Sequence, residues 1–200
     1  MGALLQQYYG PGSTNHKLFM WLNHTSSPLL DSVMPFISML GSFLAFYVYI
    51  LALLALFLVD RKAMPLKYLV VYTIAVGLSL VAEVYLKDLF HVPRPAAALG
   101  VQQIRLLEEL KLQNAFPSGH AIFAFVTART LAHGRSTSIK LLLYLFAFAV
   151  AYSQVYVGAH YPLDVIAGAI LGMLVGFIVW AVYDFFEKRH TKKRPAKVWQ

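Results

Sequence analysis

Long apolar runs alternate with short polar connections along the chain, a pattern that predicts membrane-spanning helices. A helix needs about 20 residues to cross a bilayer. Four stretches reach or approach this length: 43–59, 66–86, 141–157 and 163–186. A fifth, 118–132, is shorter and carries Arg129 near its end, from where an arginine can reach the headgroups. We therefore expect an all-α polytopic membrane helical bundle with about five transmembrane helices.

Two further segments have weaker patterns and are expected at the membrane surface. Residues 29–40 are apolar, but Asp31 and Pro35 interrupt them, which favours an interfacial helix or a bent extension of the first span. Residues 101–112 mix apolar and charged positions at roughly helical spacing, which indicates a surface helix. The bundle is thus expected to carry one or two interfacial helices.

The composition excludes an ordinary soluble domain. Hydrophobic residues make up 59% of the chain and charged residues 13%, against about 25% charged residues in globular proteins. A chain of 200 residues has too little interior to bury so much apolar surface, so lipid must cover it. The absence of cysteine excludes disulfide bonds, a thiolate nucleophile and cysteine-ligated metals.

The positive charge of the chain gathers on one predicted side of the membrane. Seventeen Lys and Arg against nine Asp and Glu give a formal net charge of +8. Most of these cations follow the first, third and fifth spans: Arg61, Lys62, Lys67, Arg135, Lys140, Lys188, Arg189, Lys192, Lys193, Arg194 and Lys197. The positive-inside bias makes that side cytoplasmic, which accounts for the surplus without nucleic acid. The chain divides into an N-terminal interfacial segment (1–42), a transmembrane domain (43–187) and a basic cytoplasmic tail (188–200).

Residues with catalytic chemistry gather on the opposite, external side. They occur where the second span ends, where the third begins and between the fourth and the fifth. Two of these places are helix N-termini, where unpaired N–H groups and the positive end of the helix dipole favour anions such as phosphate. The candidates are Lys87, Arg94, Ser118, Gly119, His120, Ser153, Gln154, His160 and Asp164.

The residue types in this group suit phosphoryl transfer. Lys87 and Arg94 supply positive charge, the latter with a fork that matches phosphate oxygens. His160 and Asp164 are four residues apart, which is one helical turn if the helix begins near Tyr161. The carboxylate could then hold one ring nitrogen protonated and leave the other free to attack. His120 could give a proton to a leaving oxygen. This set needs no metal, and although the two histidines and the aspartate could in principle bind zinc, the surrounding cations disfavour it.

The order and spacing of these residues resemble a known family. The three motifs are Lys87-x6-Arg94-Pro95, Pro117-Ser118-Gly119-His120 and Ser153-x6-His160-x3-Asp164. They resemble the signature of the type 2 phosphatidic acid phosphatase (PAP2) superfamily, integral-membrane lipid phosphatases related to vanadate haloperoxidases. The resemblance covers about residues 31–172, which is most of the chain.

The resemblance implies a role for each motif residue. His160 would form a phosphohistidine intermediate, and Asp164 would orient its ring. His120 would protonate the leaving group and later activate water. The residues expected to hold the phosphoryl oxygens are Lys87, Arg94, Ser118 and the backbone of Gly119, with Ser153 and Gln154 of the third motif beside them.

The resemblance also implies a location and a class of substrate. The chain would be a bacterial inner-membrane enzyme without a cofactor or an obligate protein partner, with its site facing the periplasm or exterior. Substrates of such enzymes include undecaprenyl pyrophosphate, phosphatidylglycerophosphate, phosphatidic acid and the 1-phosphate of lipid A. The sequence does not select among these lipid phosphates.

Gln154 departs from the family pattern, which has an arginine directly after the serine of the third motif. Its amide can donate hydrogen bonds but carries no charge and no guanidinium fork. Three explanations compete: an engineered, weakened variant, a natural member that uses other donors, or a chain that has lost catalysis and only binds. The last leaves a second hypothesis open, a non-catalytic lipid-phosphate binder or transporter.

Three other residues carry less specific expectations. Glu83 lies one turn before Lys87 and is either a functional intramembrane carboxylate or an i,i+4 partner of that lysine. Tyr9 suits an interfacial aromatic belt. His133 is expected to be exposed or interfacial, without an assigned role.

Overall fold

The computed structural model describes residues 7–192, except for the side chains of residues 43 and 190–192, and the regular structure in this part is helical. The helices are α1 (Thr14–Asn23), α2 (Pro28–Leu40), α3 (Phe43–Val59), α4 (Leu66–Phe90), α5 (Pro95–Leu99), α6 (Gly119–Ala132), α7 (Thr137–Tyr156) and α8 (Pro162–Lys192). The tail predicted for 188–200 lies outside the described residues from position 193 onward.

Several helices are suited to crossing a membrane. Within the described residues, three stretches are long and apolar enough: Leu66–Leu99, Thr137–Tyr156 and Pro162–Arg189. α2 and α3 together form a fourth candidate, bent by 67° where they meet. α6 has 14 residues, fewer than the about 20 that a crossing needs. The all-α polytopic fold is confirmed. By length and composition, the described residues contain three or four candidate spans, where about five were expected.

α6 lies among the other helices, in contact with α4, α7 and α8. α8 approaches it closely because Gly168, Gly172 and Gly176 stand at four-residue intervals on the side that faces α6. A side chain at Gly168 would collide with the Ser118 carbonyl, and one at Gly172 would collide with the Ile122 carbonyl. Small residues at a helix interface allow backbones this close. The first turns of α6 and α8 therefore lie side by side.

Residues 101–112 were expected to form a surface helix, and this expectation is wrong. Beyond a 3-10 turn at their start they form an irregular strap, which continues to residue 117. The Leu107 N–H donates to the Val157 carbonyl, and the Leu112 carbonyl accepts from the Arg94 N–H. A helix over these residues would need the Leu107 N–H for its own i→i−4 bond, but this group bonds to another segment instead.

The strap crosses the turn between α7 and α8 at Gly158. This residue has a φ of +83°, which favours glycine, and a side chain there would collide with the Arg105 carbonyl. The buried Asn23 amide of α1 donates to the carbonyls of Arg105 and Tyr156, at 2.8 and 2.9 Å. These contacts of α1 and the strap hold the turn that carries His160.

Candidate active site

A cavity of about 160 Å³ lies where α4 ends, α6 begins and the α7–α8 turn passes. Farther from this end of the bundle its lining is apolar, with Val76 and Leu80 from α4 and Phe123 and Val126 from α6. The titratable side chains around it are Glu83, Lys87, Arg94, Lys111, His120 and His160. The cavity therefore has a charged mouth and an apolar inner wall, which suits a lipid with an anionic headgroup.

His160 and Asp164 form a buried pair beside the cavity. Their side chains are 1% and 0% exposed, and His160 Nδ1 lies 3.5 Å from Asp164 Oδ2. The other carboxylate oxygen accepts a hydrogen bond of 2.7 Å from the Tyr9 hydroxyl, and Oδ2 accepts one of 2.9 Å from the Tyr161 N–H. Donors on both oxygens fix the orientation of the carboxylate next to the imidazole.

The surroundings of His160 favour its neutral form. Burial lowers the pKa of this imidazole well below its ordinary value, and the positive charges of Arg94 and Lys87 lower it further. The ring is therefore unprotonated at neutral pH. An unprotonated imidazole that lines an anion-binding cavity is able to act as a nucleophile.

Arg94 is anchored between the strap and the turn that carries His160. Its Nε donates to the Gln113 carbonyl at 3.1 Å, and its Nη1 donates to the Ala159 carbonyl at 3.2 Å. These bonds leave part of the guanidinium to line the cavity. Main-chain groups on both sides of the site thus position Arg94, which is predicted to bind phosphate.

Lys87 and Glu83 form the i,i+4 ion pair that was one of the two expectations for Glu83. Both side chains also line the cavity. The Glu83 carboxylate lies against the backbone of Gly119, where any side chain would collide with it. The N-terminus of α6 therefore faces a carboxylate that is itself paired with a cation.

Three residues that were predicted to bind phosphate are fully buried and do not reach the cavity lining. The Ser118 hydroxyl caps α6, and the Ser153 hydroxyl donates to a carbonyl of its own helix at 2.7 Å. The Gln154 amide donates to the Ser38 hydroxyl at 2.7 Å, and Ser38 in turn donates to Glu108. Their assignment to phosphate binding stays a prediction, and position 154 is directed toward α2.

Two residues of the site were missed by sequence reasoning. Tyr9, expected in an aromatic belt, is 8% exposed and contacts Asp164, which is 155 positions away. No local pattern signals such a contact. Lys111 lines the cavity from the strap. Its positive charge in the long loop on the motif side was a signal that could have pointed to it.

The cavity is better suited to anions than to metal ions. By their residue types, His120, His160 and Asp164 could in principle bind zinc. Within the part of the chain that the structure describes, no three or more His, Cys, Asp or Glu side chains form a metal-binding group. The lysine and arginine side chains at the mouth attract negative charge.

A family model extends the resemblance beyond the three motifs. Residues 64–188, more than half of the chain, match the model of the PAP2 superfamily. The chain belongs to the PAP2 superfamily. An undecaprenyl-diphosphatase of Sulfolobus acidocaldarius is 33% identical to this PAP2 protein over 164 residues, which are 82% of this chain and 76% of that protein.

Solved structures of other proteins share the fold. The crystal structure of Aquifex aeolicus LpxE has a TM-score of 0.73 at 34% identity, and the match covers 86% of this chain and 97% of that one. A PAP2-type phosphatidylglycerolphosphate phosphatase from Bacillus subtilis has a TM-score of 0.75 at 21% identity over 96% and 94%. This second likeness concerns the fold alone. The prediction of a membrane lipid phosphatase is confirmed.

Proposed function

We propose that this PAP2 phosphatase hydrolyses a lipid pyrophosphate to the lipid monophosphate and inorganic phosphate. The observation that carries the proposal is the buried, neutral His160, which lines a cavity together with Arg94, Lys87 and Lys111 and has Asp164 behind it. The likeness to an undecaprenyl-diphosphatase over most of both chains supports the pyrophosphate headgroup. The apolar inner wall of the cavity supports a lipid tail.

The reaction begins with the ring nitrogen of His160 that points away from Asp164. It attacks the terminal phosphorus, the bond to the bridging oxygen breaks, and the lipid monophosphate leaves. His120 lines the cavity, where the bound anionic headgroup offsets the nearby cations and favours the protonated form of its ring. It then supplies this proton to the leaving oxygen. Asp164 stabilises the positive charge that His160 gains. Water, activated by the now neutral His120, then attacks the phosphohistidine and releases inorganic phosphate.

The headgroup is held by charge and by helix geometry. Lys87 and Arg94 bind the phosphoryl oxygens, and the N-terminus of α6 at Gly119 adds backbone N–H groups and the positive end of its dipole. Groups of this kind act most strongly where negative charge develops in the transition state, and the loss of one donor lowers the rate by about 10²-fold to 10³-fold.

The basic loops support one orientation in the membrane. Arg135 Nη1 donates to the Ala63 carbonyl, so the loops after α3 and α6 meet at the end of the bundle remote from the cavity. Their lysines and arginines favour the cytoplasmic side. The active site would then face the periplasm or exterior of a bacterial inner membrane, with the C-terminus in the cytoplasm.

The test is phosphate release by the purified protein in detergent or vesicles. Undecaprenyl pyrophosphate should be the best substrate in a panel with phosphatidylglycerophosphate, phosphatidic acid and lipid A 1-phosphate. The activity should disappear in His160→Ala and persist in EDTA. Binding of these lipids without any phosphate release would contradict the proposal and favour the non-catalytic binder.

A further inference from the structure

The cavity has fewer unpaired cations than its motifs suggest. Lys87 is paired with Glu83, so these two charges largely cancel. Position 154, where the family has an arginine, is a glutamine whose amide is directed at Ser38. Arg94 is then the remaining cation among the predicted residues. A phosphomonoester carries about −1.5 to −2 charges at pH 7 and a pyrophosphate carries more, so further positive charge is needed.

Lys111 brings such a charge to the same cavity. It belongs to the strap and lines the cavity together with Arg94 and His160. Its Nζ lies 3.8 Å from Glu109 Oε2, but the two side chains are 56% and 84% exposed. Exposed pairs of this kind are weak, so the lysine remains available to an anionic ligand.

The strap holds Lys111 in place through Arg94. The next residue, Leu112, accepts a hydrogen bond of 2.9 Å from the Arg94 N–H. The residue after it, Gln113, accepts one of 3.1 Å from Arg94 Nε. The backbone that carries Lys111 is thus fixed to the phosphate-binding arginine itself.

We propose that Lys111 is a substrate-binding residue whose ammonium group contacts the phosphate-bearing headgroup and replaces the cation absent at Gln154. The inference rests on the proposed function, because it assigns a residue to that site. The Lys111 side chain is 56% exposed, whereas the His160–Asp164 pair is buried. It therefore contributes to binding in the ground state and in the transition state alike, which changes KM more than kcat.

The experiment measures kcat and KM for undecaprenyl pyrophosphate in three variants. Lys111→Gln should raise KM by about tenfold, the loss expected for one charge-assisted contact of about 1.4 kcal/mol, and leave kcat within about threefold. Lys111→Arg keeps the positive charge and should keep KM within about twofold of the wild-type value. Lys17→Gln removes an exposed cation of α1 that does not line the cavity, and should change neither value.

An unchanged KM in Lys111→Gln, or an equal rise in Lys17→Gln, would overturn the inference while the phosphatase activity stands. Binding of the lipid to His160→Ala, with and without Lys111→Gln, gives a readout that needs no turnover. If adding Lys111→Gln weakens lipid binding by about tenfold, the assignment of Lys111 is supported. This holds even if the wild type releases no phosphate, a result that would contradict only the proposed reaction. Equal binding by both variants overturns the assignment of Lys111.

Discussion

Two histidine–aspartate pairs of similar geometry lie at opposite ends of α8. His160 Nδ1 is 3.5 Å from Asp164 Oδ2 at the start of the helix, and His133 Nε2 is 3.4 Å from Asp184 Oδ2 near its end. The first pair is 1% and 0% exposed, while the second is 31% and 34% exposed. The distance between ring and carboxylate therefore does not distinguish the two.

The residues around each pair distinguish the two. The His133 ring stacks on Trp180 with centroids 3.9 Å apart, and the Trp180 indole donates to the Thr130 carbonyl, so this pair belongs to the packing of α6 on α8. His160 instead lines a cavity that Arg94 and Lys87 also line. A histidine–aspartate pair becomes a candidate nucleophile through burial, nearby cations and space for a ligand, rather than through its own geometry.

The largest effect should come from removing each histidine in turn. We expect His160→Gln to lower kcat about 10⁴-fold or more, because the nucleophile is lost. His133→Gln should leave kcat within about threefold, because that ring does not line the cavity. Phosphate release from the lipid substrate measures both. A similar loss of kcat in the two variants would contradict the distinction between the two ends of α8.

Substitution of the two aspartates should also lower kcat more at the His160 end of α8 than at the His133 end. Asp164→Asn should lower kcat about 10²-fold to 10³-fold, because an amide cannot stabilise the positive charge on His160. Asp184→Asn should lower it less than about twofold, since its histidine is not catalytic. Helical content and elution volume of both variants control for folding. A fully active Asp164→Asn protein would contradict the role proposed for Asp164.

Two buried tyrosines extend the comparison to the residues behind each pair. Tyr9 donates to Asp164, and Tyr68 donates to the His133 carbonyl at the other end. Tyr9→Phe should lower kcat about tenfold with little change in KM, because one hydrogen bond that orients the carboxylate is lost. Tyr68→Phe should affect thermal stability rather than kcat. Equal kcat in the two variants would count against a positioning role for Tyr9.

Adding a cation should strengthen the catalytic end. Gln154→Arg is expected to raise kcat severalfold, up to about tenfold, if the longer side chain reaches the cavity that Gln154 does not line. A control substitution, Gln154→Met, fills similar space without charge and should give no gain. Unchanged or lower turnover in Gln154→Arg would mean that the contact with Ser38 is the function of this position.

The smallest change concerns the acid limb of the pH profile. The pKa of His160 is lowered by burial and then by nearby cations, so its ring stays neutral below the ordinary histidine value of about 6.5. The nucleophile is lost only as the pH falls through the lowered pKa. kcat/KM, corrected for ionisation of the substrate, should therefore not fall as the pH is lowered from about 7.5 to about 6.5. If protonation of His160 halved the activity of the wild type at about pH 6.5, this result would contradict the buried, cation-flanked environment of its ring.

The prediction of the site from sequence was good where residues are close along the chain. The i,i+4 relation of Glu83 and Lys87 follows from helix periodicity alone. His160 lies two residues before α8, and the turn that precedes this helix brings its ring to Asp164 in the first turn. The strap shows the limit of the same reasoning. Its apolar and charged spacing indicated a helix, but contacts such as Leu107 to Val157 took its backbone groups.

The amino-acid order alone determined the long apolar helices, the three motifs that meet at one end of the bundle and the family, because hydrophobic runs and motif spacing are local properties. Tertiary structure decided that Tyr9 supports Asp164, that Lys111 lines the cavity and that Gln154 turns to Ser38. These contacts join segments far apart in the chain. They depend on how helices pack against one another, which no local pattern encodes.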